Sequence, residues 1–264
     1  MTMLELNHAR VAYDAFATHY DLFTAHHDYD LWTRTLERLA RDHGLSGNRL
    51  LDVACGTGKS FVPFLERGYE VTACDISAAM VEQAAQKAGD RARLEVHDMR
   101  TLPRLGEYDL VCCLDDAVNY LLTARELGAA LTRMAHNLAP GGVLLFDVNT
   151  VRSYRTFYGS LSVIPSEDTV IVWNGHAQAE FGEAHLASAT AEILERTGDD
   201  EWARHEAVHH QCHHPRRVVE AALSRAGLAC TGVYGMQLDG SMEPGFDEHG
   251  NSKAVYVARR AEDA

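Results

Sequence analysis

A run of small residues with one acidic residue at its start is the strongest chemical signal in the sequence. It covers Asp52–Gly58 (DVACGTG), between an apolar run typical of a strand and a pattern typical of a helix. Small side chains let the backbone turn tightly and let a ligand lie against it. The phosphate-loop pattern would need glycine at Val53, and the dinucleotide pattern would need glycine at Phe61, so neither fits. The carboxylate of Asp52 is unfavourable beside a pyrophosphate and suits a ligand that carries an ammonium group.

Two more acidic residues end the next two predicted strands. Asp75 ends EVTACD, where a carboxylate can accept hydrogen bonds from both hydroxyls of a ribose. Asp98 ends ARLEVHD, where a carboxylate can accept a hydrogen bond from an exocyclic amine. The side chains of Met80 and Met99 can press on the face of a purine. Three such strand ends in order predict a nucleoside ligand with an amino-acid tail.

Strands and helices alternate over residues 46–150, the region that carries these side chains. Near-continuous apolar strands in such an alternation indicate a parallel sheet that is covered on both faces. A sheet of this kind binds ligands at the carboxyl ends of its strands, near the topological switch point. The sequence therefore predicts an α/β fold with a doubly wound, mostly parallel, Rossmann-like sheet.

The segments on either side of this core have different patterns. Residues 1–45 are helical and rich in aromatic residues, which predicts an N-terminal helical cap. Residues 151–214 contain three extended segments separated by turn or charged residues, which predicts an antiparallel β lid inserted after the fifth strand. Residues 215–264 begin with a helix that has Pro215 in its first turn, and two later segments form a strand pair that completes the core.

The net charge and the cysteine content indicate which binding partners and which cellular compartment suit this protein. The chain has 264 residues with 24 Lys+Arg and 38 Asp+Glu, which gives a formal net charge of −14. This balance argues against nucleic acid, whose binding rests on cationic contacts, and against an anionic membrane surface. The sequence shows no apolar run that could span a bilayer and no secretory signal at its start. No CxxC pair occurs among the six cysteines, and reduced thiols in a cytoplasmic protein explain them best.

Several motifs in order carry a resemblance to a known family. The segments LLDVACGTG, CDISAAM, HDM, GEYDLVCCLDDAVNYL and LAPGGVLLFDVN resemble the motifs of the class I S-adenosylmethionine-dependent methyltransferases. The resemblance covers about residues 13–148 and is specific, because the motifs occur at compatible spacing. It implies S-adenosyl-L-methionine as the cofactor.

The leader and the lid resemble one subgroup of that family. The leader from Tyr13 to Tyr20, with two aromatic residues after it, is similar to small-molecule methyltransferases that include the aminosugar N,N-dimethyltransferases of antibiotic pathways. Glu206 and His209 form a Glu-x-x-His pattern that is similar too. Cys212 stands where the family often has arginine, so any role of that arginine is missing.

The resemblance also implies which residues contact the cofactor. The implied contacts are Ala54 and Gly56 for the methionine part, Asp75 and Ile76 for ribose and adenine, Asp98 and Met99 for the adenine edge, Leu114 under the sulfonium, and Tyr20 and Trp32 as a cover from the leader. Asp52 and Met80, which were inferred from the residues themselves, complete the predicted cofactor-binding set.

Candidate contacts with the acceptor are Tyr13, Asn119 and His209. Asn119 follows the fourth strand, where the acceptor should meet the methyl group, and His209 lies on the last strand of the lid. Asp115 and Asp116 also follow the fourth strand, but a cap on the next helix explains at least one of them as well. The spacing of Tyr13 from Tyr20 is equally typical of core packing.

Histidines cluster at the end of the lid, from His209 to His214. Ligands of structural zinc normally come as two spaced pairs, and this run has no such pairing. We therefore expect no metal, and a polar lid strand with one or two histidines that face the substrate.

The sequence thus predicts an enzyme that moves a methyl group from S-adenosyl-L-methionine to nitrogen, or oxygen, of a small-molecule acceptor in secondary metabolism. Nitrogen is favoured because an acidic surface favours an amine acceptor. A nucleotide-binding oxidoreductase with the same architecture is one alternative, and a non-catalytic protein that binds S-adenosylmethionine is another. The start of the loop at Asp52 and the side chain of Phe61 argue against the first, and the aromatic leader argues against the second. A homodimer is left open.

Overall fold

Twelve strands and eight α-helices form the described part of the chain, residues 8–178, 180–237 and 240–263 of a computed structural model. The strands are β1 (Arg49–Val53), β2 (Glu70–Asp75), β3 (Ala92–Val96), β4 (Tyr108–Cys113), β5 (Leu138–Asn149), β6 (Leu161–Pro165), β7 (Thr169–Gly175), β8 (Leu186–Arg196), β9 (Trp202–Cys212), β10 (Leu228–Met236), β11 (Met242–Pro244) and β12 (Lys253–Arg260). The helices are α1 (His8–Phe16), α2 (Tyr20–Phe23), α3 (Tyr29–Asp42), α4 (Val62–Glu66), α5 (Ala78–Ala88), α6 (Ala124–Ala135), α7 (Val151–Thr156) and α8 (Arg216–Arg225).

The larger sheet is parallel over five strands and antiparallel at one edge. Its strand order is β11-β10-β12-β5-β4-β1-β2-β3. The strands from β5 to β3 run parallel, whereas β12, β10 and β11 each run antiparallel to a neighbour. The chain moves outward from β1 to β3 and returns to β4 on the other side of β1. A topological switch point therefore lies between β1 and β4, and the predicted doubly wound sheet is confirmed.

Apolar side chains cover both faces of this sheet. Leu131 of α6 and Leu223 of α8 pack on one face. Leu36 of α3, Phe64 of α4 and Ala84 of α5 pack on the other. Burial of a Leu or Phe side chain contributes about 1.5–3 kcal/mol. The two layers therefore hold the carboxyl ends of the strands in fixed positions.

Caps encoded in the sequence fix the starts of two helices that follow strand ends. The hydroxyl of Ser77 accepts a hydrogen bond from the backbone N–H of Met80 at 3.1 Å. Thr123 and Glu126 form a capping box at the start of α6. Each cap satisfies a backbone donor at the helix end and typically contributes about 1 kcal/mol.

A separate antiparallel sheet, with the order β6-β7-β8-β9, forms the predicted lid. Its inner face buries Ile171, Ala189 and Ile193 in one cluster with Ala12 and Phe16 of α1. The N-terminal helix and the lid therefore share an apolar core that is distinct from the two layers on the larger sheet.

Some element boundaries differ from those expected from the sequence. The lid has a fourth strand, β6, which is preceded by α7, and β11 adds a short edge strand. The pattern ARELGAALTRMAHNLAPGG predicts a helix that Pro-Gly-Gly closes, but α6 ends at Ala135 and Pro-Gly-Gly lies within β5. Pairing of Tyr108 with Leu138, followed by a register shift, extends the strand across them, so sheet pairing overrides the local turn signal. No helix within the described ranges is long and apolar enough to cross a membrane.

Candidate active site

A cleft runs along the carboxyl ends of β1, β2 and β3. The predicted cofactor residues that line it are Tyr20, Ala54, Gly56, Asp75, Ile76, Asp98, Met99 and Leu114. Local motifs after separate strands thus meet at one edge of the sheet, as parallel topology requires.

The loop after β1 bends so that its backbone forms the floor of the cleft. Ala54 has a φ of 61° and Gly56 a φ of 53°, both in the left-handed region. A Cβ added to Gly58 would lie 3.0 Å from the ring of Phe61 and 3.4 Å from the backbone of Ala84. Glycine at 58 is therefore favoured by its φ of 90° and by the close approach of the Phe61 ring. The left-handed conformation of Ala54 persists because the surrounding loop holds it in place.

Asp75 ends β2 and lines the cleft. Its carboxylate accepts hydrogen bonds from the backbone N–H groups of Gly56 and Ser77, both at 2.9 Å. Burial raises the pKa of Asp75 to about 6. A carboxylate oxygen has a second lone pair, so both oxygens can still accept hydrogen bonds from a ligand. The position fits the predicted ribose contact.

Asp98 lines the outer part of the cleft, beside His97 and Arg100. The guanidinium of Arg100 donates to Asp98, with Nη2 2.6 Å from Oδ2. Arg100 also donates to Glu126 at 2.9 Å. The carboxylate that the sequence assigned to adenine is therefore already paired with a cation that the sequence analysis did not consider.

Three residues of the predicted cofactor set do not line the cleft. Asp52 is buried under the loop, where the hydroxyl of Ser60 donates to its Oδ2 at 2.5 Å, and burial raises its pKa to about 7. Met80 is a buried residue of α5, and Trp32 is buried in the apolar cluster of α3. None of the three side chains lines the cleft. Direct contact of these side chains with a cofactor therefore stays a prediction that their positions do not support.

Two features of the cleft were missed by the sequence reasoning. Lys59 lies in the cleft, and its ammonium donates to the carbonyl and the hydroxyl oxygens of Thr24 at 2.9 and 2.8 Å. The same ammonium lies 4.8 Å from the ring centre of Tyr29, which also lines the cleft. The sequence signal for Lys59 is its place directly after Gly58, at the end of the ligand-binding loop.

A second cavity, of about 630 Å³, adjoins the cleft beneath the lid. Its aromatic walls come from α1, α2, α7 and the lid: Tyr13, Phe16, Phe23, Phe157, Tyr158 and Trp173. The cleft and the cavity share a wall made of Tyr13, Tyr20, Tyr29, Asp115 and Tyr120. This shared wall is where a ligand in one space would meet a ligand in the other.

A buried cluster of charges lies at the shared wall. The ammonium of Lys253 contacts the carboxylates of Asp115, at 3.2 Å, of Asp147, at 2.9 Å, and of Asp116. Burial and the neighbouring carboxylates raise the pKa of Asp116. Burial opposes ionisation of Asp115 as well, but the attraction of Lys253 outweighs it and lowers the pKa of Asp115. We refer to these four side chains as the Lys253 cluster.

The two aspartates after β4 do not cap a helix. Asp116 precedes a short 3-10 turn, Ala117–Tyr120, but its side chain makes no capping hydrogen bond. Gln211 donates to Asp116 at 2.6 Å. The hydroxyls of Tyr20 and Tyr29 donate to Asp115 at 3.1 and 2.8 Å. The capping interpretation is therefore wrong for Asp116, because its carboxylate is directed to the Lys253 cluster instead.

The three candidate acceptor contacts fall in different surroundings. Tyr13 lines both spaces, and His209 lines the cavity. Asn119 lines neither, since its amide donates to the carbonyl of Cys212 at 2.9 Å and accepts from the backbone N–H of Asn149 at 3.0 Å. Asn119 therefore ties β9 to β5 and holds the wall, and a catalytic contact from it stays a prediction that its position does not support.

His209 is a buried imidazole with one nitrogen unused. Its Nδ1 lies 2.9 Å from the hydroxyl of Tyr120, and its Nε2 has no hydrogen-bond partner in the part of the chain that the structure describes. Burial lowers the pKa of His209 to about 4, so the ring is neutral at physiological pH. The ring centre of Trp173 lies 5.3 Å away. A neutral imidazole with a free nitrogen in an aromatic wall can donate to, or accept from, one polar group of a ligand.

Glu206 on the last lid strand, and the two histidines that follow this strand, have partners outside the cavity. Glu206 is exposed and pairs with Arg204. His213 is bonded to Glu248, and His214 to the carbonyl of Leu121. Within the described residues, no group of three His, Cys, Asp or Glu side chains is arranged to hold a metal ion. That the enzyme needs no metal ion stays a prediction for experiment.

The sequence is similar to known methyltransferases. Residues 50–142 match a family described as a methyltransferase domain. YqeM, a protein of Bacillus subtilis (strain 168) named as a methyltransferase, is 33% identical over 198 residues, which are 66% of this chain and 78% of that protein. A dTDP-3-amino-3,6-dideoxy-alpha-D-glucopyranose N,N-dimethyltransferase of Streptomyces fradiae is 28% identical over 203 residues, which are 76% of this chain and 78% of that protein.

Solved structures share the whole fold. The sugar N-methyltransferase KedS8 from Streptoalloteichus sp ATCC 53650 is 26% identical, with a TM-score of 0.71 over 90% of this chain and 92% of that one. DesVI of Streptomyces venezuelae is 25% identical, with a TM-score of 0.68 over 96% of this chain and 98% of that one. The likeness therefore extends beyond the nucleoside-binding core to the leader and the lid.

Proposed function

The chain belongs to the S-adenosylmethionine-dependent methyltransferases, and we propose that it transfers a methyl group to the nitrogen of a small-molecule amine. The observation that carries the proposal is the wall shared by the cleft and the 630 Å³ cavity. A cavity of this size suits a small organic molecule. The relatives named as N,N-dimethyltransferases and as a sugar N-methyltransferase support nitrogen as the acceptor atom and a place in secondary metabolism.

The cleft fits the parts of the cofactor. Asp75 offers two acceptor oxygens for ribose hydroxyls, and Ile76 and Met99 offer an apolar surface for a base. The backbone at Gly56 leaves room for an amino-acid tail, and the ammonium of Lys59 is opposite in charge to the carboxylate of that tail. The bound cofactor supplies a methyl group activated on a positively charged sulfur.

The residues of the chain have three tasks in this reaction. They must hold the acceptor nitrogen in line with the methyl group, which can supply several kcal/mol of the barrier, roughly 7–11 at best. They must exclude water, and the aromatic side chains of α1, α2 and the lid are placed to do so. They must also leave the acceptor nitrogen unprotonated, so that its electron pair is free to attack the methyl group. Polar groups at the shared wall are placed to accept the proton. Tyr13 and His209 are the predicted residues that reach the acceptor side of that wall.

Calorimetry and a transfer assay test this proposal. We expect S-adenosylhomocysteine to bind and NAD not to bind, and we expect methyl transfer to at least one member of a panel of amines. Binding of NAD alone would favour an oxidoreductase. Binding of S-adenosylhomocysteine without transfer to any amine or hydroxyl acceptor would favour a non-catalytic binding protein.

We also propose that the enzyme acts in the cytoplasm. Six cysteines are free, and five of them are buried thiols, which supports a reducing compartment. Fractionation of the producing cell tests this placement. A homodimer stays a prediction, to be checked by light scattering of the purified chain.

A further inference from the structure

Three carboxylates share a single ammonium at the wall between the cleft and the cavity. The side chains of Asp115 and Asp116 keep 28% and 20% of their surface exposed, whereas Asp147 is fully buried. Lys253, the ammonium they share, is 11% exposed. With all four groups ionised, the Lys253 cluster carries a formal charge of −2. A cation that reaches Asp115 and Asp116 from the cavity would reduce this imbalance.

The backbone of Asp115 and Asp116 has an unusual conformation that directs both carboxylates to the cavity. Asp115 and Asp116 have φ values of 60° and 51°, so two consecutive residues with side chains occupy the left-handed region. Such a conformation persists only where the surroundings hold it in place. Here Asp147 accepts both backbone N–H groups, at 2.7 and 2.8 Å. These hydrogen bonds hold the turn in a fixed conformation, and both aspartates line the cavity.

A second, independent observation also indicates a ligand in this cavity. His209 is 1% exposed and lines the same cavity, yet its Nε2 has no partner among the described residues. A buried polar nitrogen without a partner costs free energy unless a ligand or water completes its hydrogen bond. The cavity therefore offers an anionic end, an aromatic body and one further polar contact.

The ammonium of Lys253 is already paired with the carboxylates of the Lys253 cluster. Lys253 is the one lysine or arginine among the described residues that line it. All three of its carboxylate partners are within hydrogen-bond or ion-pair distance. A phosphate or diphosphate group here would face two carboxylates and no free cation. The chemistry favours an acceptor with a cationic end and without phosphate.

We propose that Asp115 and Asp116 bind the protonated nitrogen of the acceptor, and that Asp116 then takes its proton. The acceptor class is accordingly an amine on an apolar or aromatic body, rather than a nucleoside-diphosphate sugar such as the one in the name of the Streptomyces fradiae relative. This inference rests on the proposed function, because it assigns the substrate class of the same site.

The proton step leaves the nitrogen ready to react. An N–H bond of the bound ammonium breaks, its proton passes to a carboxylate oxygen of Asp116, and the electron pair stays on nitrogen. The Asp116 carboxylic acid returns the proton to solvent when the product leaves. Its raised pKa suits a carboxylate that must accept a proton, whereas Asp115, held by two tyrosine hydroxyls and Lys253, stays ionised.

Other titratable groups face Asp116 from each neighbouring element. They are Asp115 beside it, Asp147 on β5, Lys253 on β12, Tyr13 on α1, Tyr120 in the 3-10 turn, and Tyr154 and Tyr158 near α7. Burial raises the pKa of each of these tyrosines, so they stay neutral near pH 7. Of the two aspartates that line the cavity, Asp116 has a raised pKa and Asp115 a lowered one, so Asp116 is the one placed to take a proton.

Matched amine and alcohol probes test the binding step by calorimetry, with and without S-adenosylhomocysteine. The pairs are 2-phenylethylamine with 2-phenylethanol, tryptamine with tryptophol, and cyclohexylmethylamine with cyclohexylmethanol. We expect at least one amine to bind about tenfold more tightly than its alcohol, the scale of one charge-assisted hydrogen bond. Thymidine diphosphate should not compete. Equal binding within every pair, no amine binding at all, or competition by thymidine diphosphate would overturn the proposal.

Variants assign the preference to Asp116 and to its proton. Asp116→Asn should remove most of the amine preference, and the matched control Glu206→Gln, an exposed lid carboxylate paired with Arg204, should retain it. In wild type, amine binding should release protons and weaken as the pH falls from about 8 to about 5.5, because the cation favours the ionised carboxylate. Asp116→Asn should lose this proton release. Retention of both the preference and the proton release by Asp116→Asn would overturn the assignment.

A folding defect can be separated from a binding defect. The melting temperature and the binding of S-adenosylhomocysteine report the fold of each variant. Wild type that binds amines selectively but fails to bind S-adenosylhomocysteine would contradict the proposed function and leave the amine site standing. Wild type that binds S-adenosylhomocysteine and shows no amine preference would contradict this inference alone.

Discussion

Asp147 Oδ1 lies 2.7 Å from the backbone nitrogen of Asp115, and this hydrogen bond links the end of β5 to the turn after β4. The other oxygen of Asp147 accepts from the next backbone N–H and from the ammonium of Lys253, at 2.8 and 2.9 Å. Asp147 is fully buried, so it reaches no ligand itself. It acts as a positioning residue that holds two strained residues of the shared wall.

Replacement of this carboxylate should be costly. Asp147→Asn leaves Lys253 with one buried partner fewer and turns an amide N–H toward a backbone N–H or the ammonium. We expect the free energy of unfolding to fall by about 1–3 kcal/mol, the usual cost of leaving a buried donor without its acceptor, since Lys253 keeps Asp115 and Asp116 as partners. Urea unfolding measures it. The control Asp168→Asn, which breaks an exposed pair with Arg196, should cost about 0–1 kcal/mol. Equal losses for the two variants would contradict the positioning role.

Asp75→Ala should weaken cofactor binding. The variant loses hydrogen bonds to ribose hydroxyls, each about 1.5–3 kcal/mol for a charged acceptor, and loosens Gly56. The dissociation constant for S-adenosylhomocysteine, measured by calorimetry, should rise at least about tenfold. Asp52→Asn is the comparison, because Asp52 is buried beside the cleft and bonded to Ser60. An unchanged constant for Asp75→Ala would remove the ribose assignment, and a large rise for Asp52→Asn would restore Asp52 as a direct contact.

Local patterns were enough to predict the cleft. Ala54, Gly56 and Asp75 belong to motifs that sit at strand ends, and parallel topology alone brings strand ends together. Helical spacing does not say which face of α3 is turned to the core, so the sequence could not show that Trp32 packs there. Local sequence also gave no sign that sheet pairing would carry β5 through Pro140.

The cluster at the shared wall could not be predicted from the sequence. Lys253 meets Asp116 across 137 positions of the chain, through the antiparallel pairing of β12 with β5. The place of Asn119 after β4 made it a candidate contact with the acceptor. Its amide is instead hydrogen-bonded to backbone groups of two distant strands, β9 and β5. Partners at such separations follow from tertiary packing, which short-range spacing does not encode.

The neutral His209 should make stability depend on pH. Its pKa is lowered to about 4 in the folded chain, whereas an unfolded histidine titrates near about 6.5. Between these values the unfolded chain binds a proton that the folded chain does not, so stability is lost as the pH falls through this window. Relative to His209→Phe, wild type should lose about 2–3 kcal/mol between about pH 7.5 and about pH 4.5. Urea unfolding of both proteins at the two pH values checks this, and a constant difference would contradict the buried neutral state.

The leader should act as a cover that opens for turnover. The sequence predicted this for residues 1–45, of which residues 1–7 lie outside the described part, and the structure narrows it to α1 and α2. The described part of helix α1 packs on the lid through Ala12 and Phe16. Helix α3, by contrast, is buried in the core layer through Trp32 and Leu36. The cover and the core layer should therefore differ in their opening free energies.

Hydrogen exchange distinguishes the two segments. Amides of α1 and α2 should exchange faster than those of α3 without cofactor and should slow down with S-adenosylhomocysteine, because a closing element orders on binding. Deletion of residues 1–24 should abolish transfer while the sheet still folds. Tyr20→Ala should lower turnover more than stability, since the ring lines the cleft and its hydroxyl donates to Asp115 at 3.1 Å. If α1 and α2 exchange equally with and without S-adenosylhomocysteine, the leader is ordinary packing, and Tyr13 and Tyr20 are wall residues without a gating role.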